Sequence, residues 1–161
     1  MTADILSAHL PGDRVRPLLE AAEAHDGIAA FSEGFVQGLD DDRVRHSHFL
    51  VEHDGAVVAC AGLAEDGSAE LVVHPEHRRA GIGEALARKV RAEHADAGLW
   101  AHGNLPGAKA LAAKLGLSVA RELLVMGISA DDIPDGAPEL PEGFEALDYV
   151  GAVERLSLIH I

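Results

Sequence analysis

In this 161-residue chain, the residues whose types and spacing best suit chemistry lie in Val73-His74-Pro75-Glu76-His77-Arg78-Arg79-Ala80-Gly81-Ile82-Gly83. Gly81 and Gly83 remove side chains that would keep a ligand away from the backbone. If a helix begins at Ile82, its first amides lack intrahelical acceptors and its dipole favours negative charge. A pyrophosphate could then rest on those amides, with Arg78 and Arg79 adding positive charge. The spelling is not that of a Walker A loop, which needs Gly, four residues and then Gly-Lys-Ser/Thr. Nor is it a dinucleotide fingerprint, which needs three glycines. Two glycines and two arginines would also suffice for an ordinary solvated turn, so the flanking elements have to decide.

Other reactive residues are less directive. Glu70 could accept a proton through a water, but in an extended strand it points away from the face of Leu71, and a surface acid is the plainer reading. His74 lies beside the loop and histidine titrates near neutrality, although a solvated loop end explains it as well. His74, His77, His94 and His102 show no His-x-x-x-His spacing with a third ligand nearby, so no metal site is expected. His102 reads as a packed strand residue. Cys60, the single cysteine, excludes an internal disulfide and sits in the apolar run Val57 to Ala61 as a small buried hydrophobe.

The elements that must position the loop follow from periodicity. Val15, Leu18, Leu19 and Ala22 recur at helical spacing within Asp13 to His25, with Gly27 as the stop. A short second helix is expected after Ser32 as N-cap, with Phe31 as a staple and Phe35, Val36 and Leu39 on one face. From His48 the pattern becomes short apolar runs, 48 to 52, 56 to 64 and 68 to 73, separated by Asp54-Gly55 and Asp66-Gly67, which predicts an antiparallel meander. Helix over 82 to 97, strand over 99 to 102, helix from Pro106 to Leu115 and a last strand over 117 to 126 complete an α/β domain. This gives a domain over residues 1–127, an acidic Pro-rich linker over 128–143, and a segment 144–161 that is either a truncated start of a second domain or a non-native tail.

Charge narrows the function classes. Asp and Glu number 27 against 13 Lys and Arg, a net charge of −14 that argues against nucleic acid and anionic membrane partners. No apolar run reaches the roughly 20 residues of a membrane span and no export signal opens the chain, so a cytoplasmic protein is expected.

The pattern Arg78-x-x-Gly81-x-Gly83 between strand and helix resembles the acyl-CoA signature of the GNAT acetyltransferases. The resemblance implies a mixed central sheet flanked by helices, with acetyl-CoA held by Leu71, Val72, Val73, Arg78, Arg79, Ala80, Gly81, Ile82, Gly83 and Glu84. Further matches resemble the mycothiol synthase family over roughly residues 13 to 134. They are Ala69 to Pro75, Trp100-Ala101-His102-Gly103, Arg121 to Met126, His25 to Ala29 with Ser32-Glu33, and Asp132-Ile133-Pro134. Members of that family carry two GNAT domains in one chain and transfer acetyl from acetyl-CoA to the cysteinyl amine of a cysteinyl-glucosaminyl-inositol.

By that resemblance this chain is the N-terminal half. It binds acetyl-CoA, the second half carries the transfer, and Glu33 contacts the small cysteinyl amino-sugar substrate. The tyrosine that many GNAT domains place four residues before the glycine ending the penultimate helix is here Ala112, before Gly116, and the catalytic residues are unassigned. The only tyrosine, Tyr149, lies beyond the linker. Two other readings stand beside this one: a free-standing GNAT acting on another primary amine, and a non-catalytic acyl-CoA-binding domain.

Overall fold

A computed structural model describes residues 4–132 and 139–147. Contacts divide the chain into residues 1–120 and 121–161, and each unit is taken by itself.

The first unit is built on a five-stranded sheet in the order β1-β2-β3-β4-β5. Its strands are β1 (Ile5–Ala8), β2 (Ser47–His53), β3 (Ala56–Leu63), β4 (Ser68–Val73) and β5 (Gly98–Leu99). The first four are antiparallel to their neighbours, and β5 joins β4 in parallel. The β2–β3 turn is made by Asp54 and Gly55, both at positive φ (51° and 80°), the conformation that suits a two-residue hairpin. The β3–β4 turn uses Gly67 at φ +83°, with the Asp66 carboxylate accepting from Ser68 N–H at 2.9 Å.

Helices cover both faces, because β3 is buried along most of its length on either side. On one face α1 (Gly12–Asp26) and α2 (Glu33–Gly38) bury Val15, Leu18, Ala22, Phe31, Phe35 and Leu39 against Leu50, Cys60 and Val72. The other face carries α3 (Ile82–Glu93), whose Leu86 and Val90 pack on Phe49, Ala59, Ala61 and Ala69. The alternation of β4 therefore sends Val72 toward α1 and α2, and Leu71 and Val73 toward α3. Gly62 permits close packing of α2, since a Cβ there would lie 2.7 Å from Phe35. Cys60 is fully buried, and burial pushes its thiol up to about 12, which keeps it protonated and inert.

Most expected elements are present. α1 ends at Gly27 with φ +72°, as its stop signal requires, and Ser32 occupies the N-cap of α2 without a side-chain cap bond. Strand β1 adds an edge that the sequence reading omits. Helix α3 ends at Glu93 rather than 97, with the His94 amide donating to Val90 O at 2.9 Å. β5 is two residues long, and His102 falls in a 3-10 turn (His102–Asn104) rather than in a strand. Helix α4 (Pro106–Lys114) follows.

The expected strand over 117 to 126 does not form. Val119 lies exposed in the first unit, and Leu123 to Met126 lie exposed in the second. A strand needs a partner for its amides and carbonyls, and among the described residues this run is not part of the sheet. In residues 121–132 and 139–147 the regular structure is a 3-10 turn at Ala130–Asp132. Residues 133–138 of the expected linker and 148–161 of the expected tail, including Tyr149, lie outside the described residues.

Candidate functional site

β4 and β5 start as a parallel pair and then separate. Pairing covers Ser68 with Gly98 and Ala69 with Leu99, and Trp100 N–H donates to Ala69 O at 2.9 Å. Beyond that bond β4 continues to Val73 with a partner on the β3 side alone. Even-numbered residues of β4 face β3, as the bonds Ala64 N–H to Ser68 O and His74 N–H to Val58 O show. Odd-numbered residues face the gap. Leu71 N–H, Leu71 C=O and Val73 N–H thus line an open wedge, whereas the polar groups of Val72 are used by β3. Of the three strand residues expected to hold acetyl-CoA, Leu71 and Val73 offer free backbone.

The loop closing the wedge is held by an ion pair that sequence spacing did not reveal. Arg78 Nη1 and Nη2 donate to the two Asp26 carboxylate oxygens at 2.8 and 2.7 Å, and Nε donates to Val73 O at 3.0 Å. His25 Nδ1 lies 2.9 Å from the same carboxylate. The Arg78 guanidinium bonded to Asp26 holds that carboxyl at about 2. Arg78 therefore shapes the cradle by fixing the end of β4 to the end of α1, and its charge is largely answered by Asp26.

Arg79 is exposed and sits at φ +65°, a conformation costly for a side chain with a Cβ. Gly81, at φ +85°, forms the N-cap of α3 without a side-chain cap. No amide from Arg79 to Glu84 donates to a protein acceptor among the described residues, and the first bond of the helix is Ala85 N–H to Gly81 O. A Cβ on Gly81 would meet nothing within 4 Å, so the helix end faces open space. Gly83 differs: a Cβ there would make ordinary contact with Val73 and Leu111 at 3.6 and 3.7 Å. A row of unpaired amides at a helix N-terminus suits an anion.

Glu84 is the one acid at that helix end, and its charge is answered. Lys114 on α4 bonds it at 2.6 Å and Arg88 at 2.9 Å, and these partners, Lys114 first, hold its carboxyl below the usual range. His74 caps the 3-10 turn Pro75–His77, its Nδ1 accepting from Glu76 N–H at 3.3 Å. The rings of His53, His77 and His74 follow one another at 5.2 and 5.6 Å. Among the described residues no group of His, Cys, Asp or Glu could hold a metal ion.

A second cluster lies on the other face of the sheet. Glu70 is 2% exposed, which corrects its reading as a surface acid while keeping its orientation opposite to Leu71. Its Oε2 accepts the Ser32 N–H at 2.7 Å, and its Oε1 lies 3.0 Å from His102 Nε2. Nearby, His48 Nε2 and His46 Nδ1 are buried without a partner, and His46 stacks on Phe35 at 4.6 Å. Burial lowers His48 to about 4 and keeps the ring neutral. Glu33, one residue beyond Ser32, is exposed and makes no ion pair among the described residues. It lines an open depression with Arg16, Val36, Gln37 and the acidic run from Asp40 to Asp42.

The structure thus gathers Leu71, Val73 and residues 78–84 around one wedge and sets Glu33 apart from them on α2. The roles of Asp26 and His102 were missed, because each acts through a partner distant in sequence. Each lies in one of the short strings that resemble the mycothiol synthase family, His25 to Ala29 and Trp100 to Gly103, and that was the available signal.

Residues 45–117 match the acetyltransferase (GNAT) domain model. The chain is 44% identical over 151 residues to the mycothiol acetyltransferase of Corynebacterium aurimucosum, covering 92% of this chain and 48% of that protein. It spans about half the length of the curated relatives it matches. Among solved structures it is similar to the ribosomal-protein-alanine N-acetyltransferase of Brucella melitensis (TM-score 0.55, 20% identity, 78% of this chain and 99% of that one). It is also similar to an aminoglycoside N-acetyltransferase in complex with CoA (TM-score 0.51, 16% identity, 78% and 99%). With a parallel pair that splits, a glycine-capped helix at its mouth and these likenesses, the chain carries an acetyltransferase (GNAT) domain.

Proposed function

We propose that this chain is the acetyl-CoA-binding N-terminal half of a tandem acetyltransferase that acetylates the cysteinyl amine of cysteinyl-glucosaminyl-inositol in mycothiol biosynthesis. The observation that carries the binding claim is the row of unpaired amides from Arg79 to Glu84 at the mouth of the β4–β5 wedge. The half-length likeness to mycothiol acetyltransferases supports the acceptor and a second GNAT domain in the complete protein.

The pyrophosphate rests on the amides of residues 80–84, with Arg79 as the exposed cation and Arg78 as the strut that shapes the loop. The pantetheine arm, itself carrying amides, bonds the free backbone of Leu71 and Val73 as an added strand would. Leu71 N–H at the split is placed to polarise the thioester carbonyl. Glu33 is available to pair with the acceptor's ammonium or accept from its sugar hydroxyls.

Ala112 gives a specific reason to keep a second reading, in which this half binds acetyl-CoA without turning it over. No helix among the described residues is long and apolar enough to cross a membrane, and we place the protein in the cytoplasm. The test is product formation by the complete protein from acetyl-CoA and cysteinyl-glucosaminyl-inositol. The N-acetylated product is expected. Its absence while acetyl-CoA remains bound would overturn the assigned acceptor and leave the cradle standing.

A further inference from the structure

Pairing between β4 and β5 stops although Leu99-Trp100-Ala101-His102 contains neither Gly nor Pro to stop it. In a parallel ladder the bonds recur at every second residue, and Trp100 N–H to Ala69 O is the last one made. The register that sets Ser68 against Gly98 and Ala69 against Leu99 would next bond Leu71 N–H to Trp100 O and His102 N–H to Leu71 O. Those two groups of Leu71 are the ones left free for the cofactor. Continued pairing would bring the segment to the usual strand spacing of roughly 4.8 Å, the place an arm bonded to β4 as an added strand needs for itself. Some contact must hold the segment after β5 away.

Glu70 makes that contact, at the residue of β4 that follows the last bond. Its side chain is 2% exposed on the face covered by α1 and α2, and each of its oxygens has a partner from a different segment. Oε1 lies 3.0 Å from His102 Nε2, which holds that ring on the same face, and Oε2 accepts Ser32 N–H at 2.7 Å. Ser32 ends the connection between α1 and α2. The same connection is fastened elsewhere around the wedge. At its start Asp26 binds Arg78, and farther along Ile28 lies 3.1 Å from where a Cβ on Gly103 would be. Glu70 is thus the joint between β4, the turn His102–Asn104 and the α1–α2 connection.

We propose that Glu70 is a positioning residue for acetyl-CoA: by clamping His102 and Ser32 it keeps the segment after β5 from closing onto Leu71, so the wedge stands open before the pantetheine arm arrives. The proposal rests on the acetyl-CoA reading of the wedge and asks no acetyl transfer of this half. A cofactor that meets a wedge open only part of the time binds more weakly by that fraction. The pyrophosphate cradle, on the loop and helix beyond β4, is indifferent to the clamp. The clamp works through two hydrogen bonds rather than through charge. A glutamine at this position can accept Ser32 N–H with its oxygen and donate to His102 Nε2 from its amide.

Calorimetric titration of the 161-residue chain compares acetyl-CoA with ADP, which keeps a pyrophosphate and lacks the pantetheine arm. Glu70→Ala is expected to weaken acetyl-CoA about tenfold and to leave ADP within about twofold of wild type, whereas Glu70→Gln should keep acetyl-CoA within about threefold. A residue serving the fold alone would weaken both ligands together. If Glu70→Ala does not fold, His102→Ala cuts the same link at a side chain that is 30% exposed and should show the same split. Unchanged acetyl-CoA affinity in the alanine variant, parallel loss of both ligands, or a glutamine variant as weak as the alanine one overturns the proposal. Acetyl-CoA binding no tighter than ADP in the wild type overturns the reading of the wedge itself and leaves the cradle standing.

Discussion

The cradle at the mouth of the wedge and the cluster around Glu70 treat polar groups in opposite ways. In the cradle, six successive amides from Arg79 to Glu84 are left without protein acceptors, and two residues, Arg79 and Gly81, hold positive φ to present them. Around Glu70, a carboxylate is taken out of water and given a backbone donor and an imidazole, while His48 is buried neutral beside it. Unpaired groups at a surface are an invitation to a ligand, since water fills the place until one arrives. Paired groups in the interior fix geometry. One sheet thus carries a loop whose amides are left open and, on its other face, a buried carboxylate whose two oxygens are each given a partner.

The sharpest way to separate the two is acid. His48 is held at about 4 by burial, against 6.5 for an ordinary histidine, so between those values the unfolded chain binds more protons than the folded one. Stability is then complete above pH 6.5 and falls as pH drops toward 4, by about 3 kcal/mol over that window. Urea titrations of His48→Phe should show a flatter profile across it, and an unchanged slope would remove His48 from the account.

Next in size is the strut. Arg78→Met leaves the Asp26 carboxylate, 12% exposed, without its bidentate partner and should cost about 2 kcal/mol in denaturant unfolding near neutral pH. Asp26 is lowered from 3.8 to about 2, so its contribution is present above about pH 4 and lost as pH falls toward 2. The wild type and Arg78→Met should therefore converge in stability at the acid end. A constant difference between them would mean that the pair does not carry the effect.

Gly81→Ala places a Cβ in open space at φ +85°, so its cost is conformational, about 1 kcal/mol, with no clash to relieve. Smaller still is Lys114→Ala, which removes one of two cations from Glu84 at an exposed site and should leave stability nearly unchanged. The same variant should weaken acetyl-CoA a few-fold by uncovering negative charge beside the phosphates. A loss of stability with affinity unchanged would make Lys114 a strut rather than a charge shield.

The two sides also differ in how far the sequence exposes them. The cradle is spelled locally: a strand, two glycines two apart and a helix on 3.6-residue periodicity announce unpaired amides without any tertiary information. Helices α1 and α3 and the meander were legible for the same reason. The Glu70 cluster joins residues 32, 70 and 102, and the Arg78 strut joins 26 and 78; nothing within a local window reports such contacts. Hence Arg78 looked like a phosphate ligand and Glu70 like a surface acid. The run from Leu117 to Met126 has strand-forming residues, but strand formation depends on a partner edge, which propensity cannot reveal.

The central claim is that residues 79–84 are an acetyl-CoA cradle, and calorimetric titration of acetyl-CoA into the wild-type chain and Gly81→Val tests it most directly. The account predicts saturable one-site binding to the wild type. In the folded variant it predicts a loss of well over tenfold, because a branched side chain would stand where the pyrophosphate meets the amides. No heat with the wild type, or equal affinity in the two proteins, would contradict it.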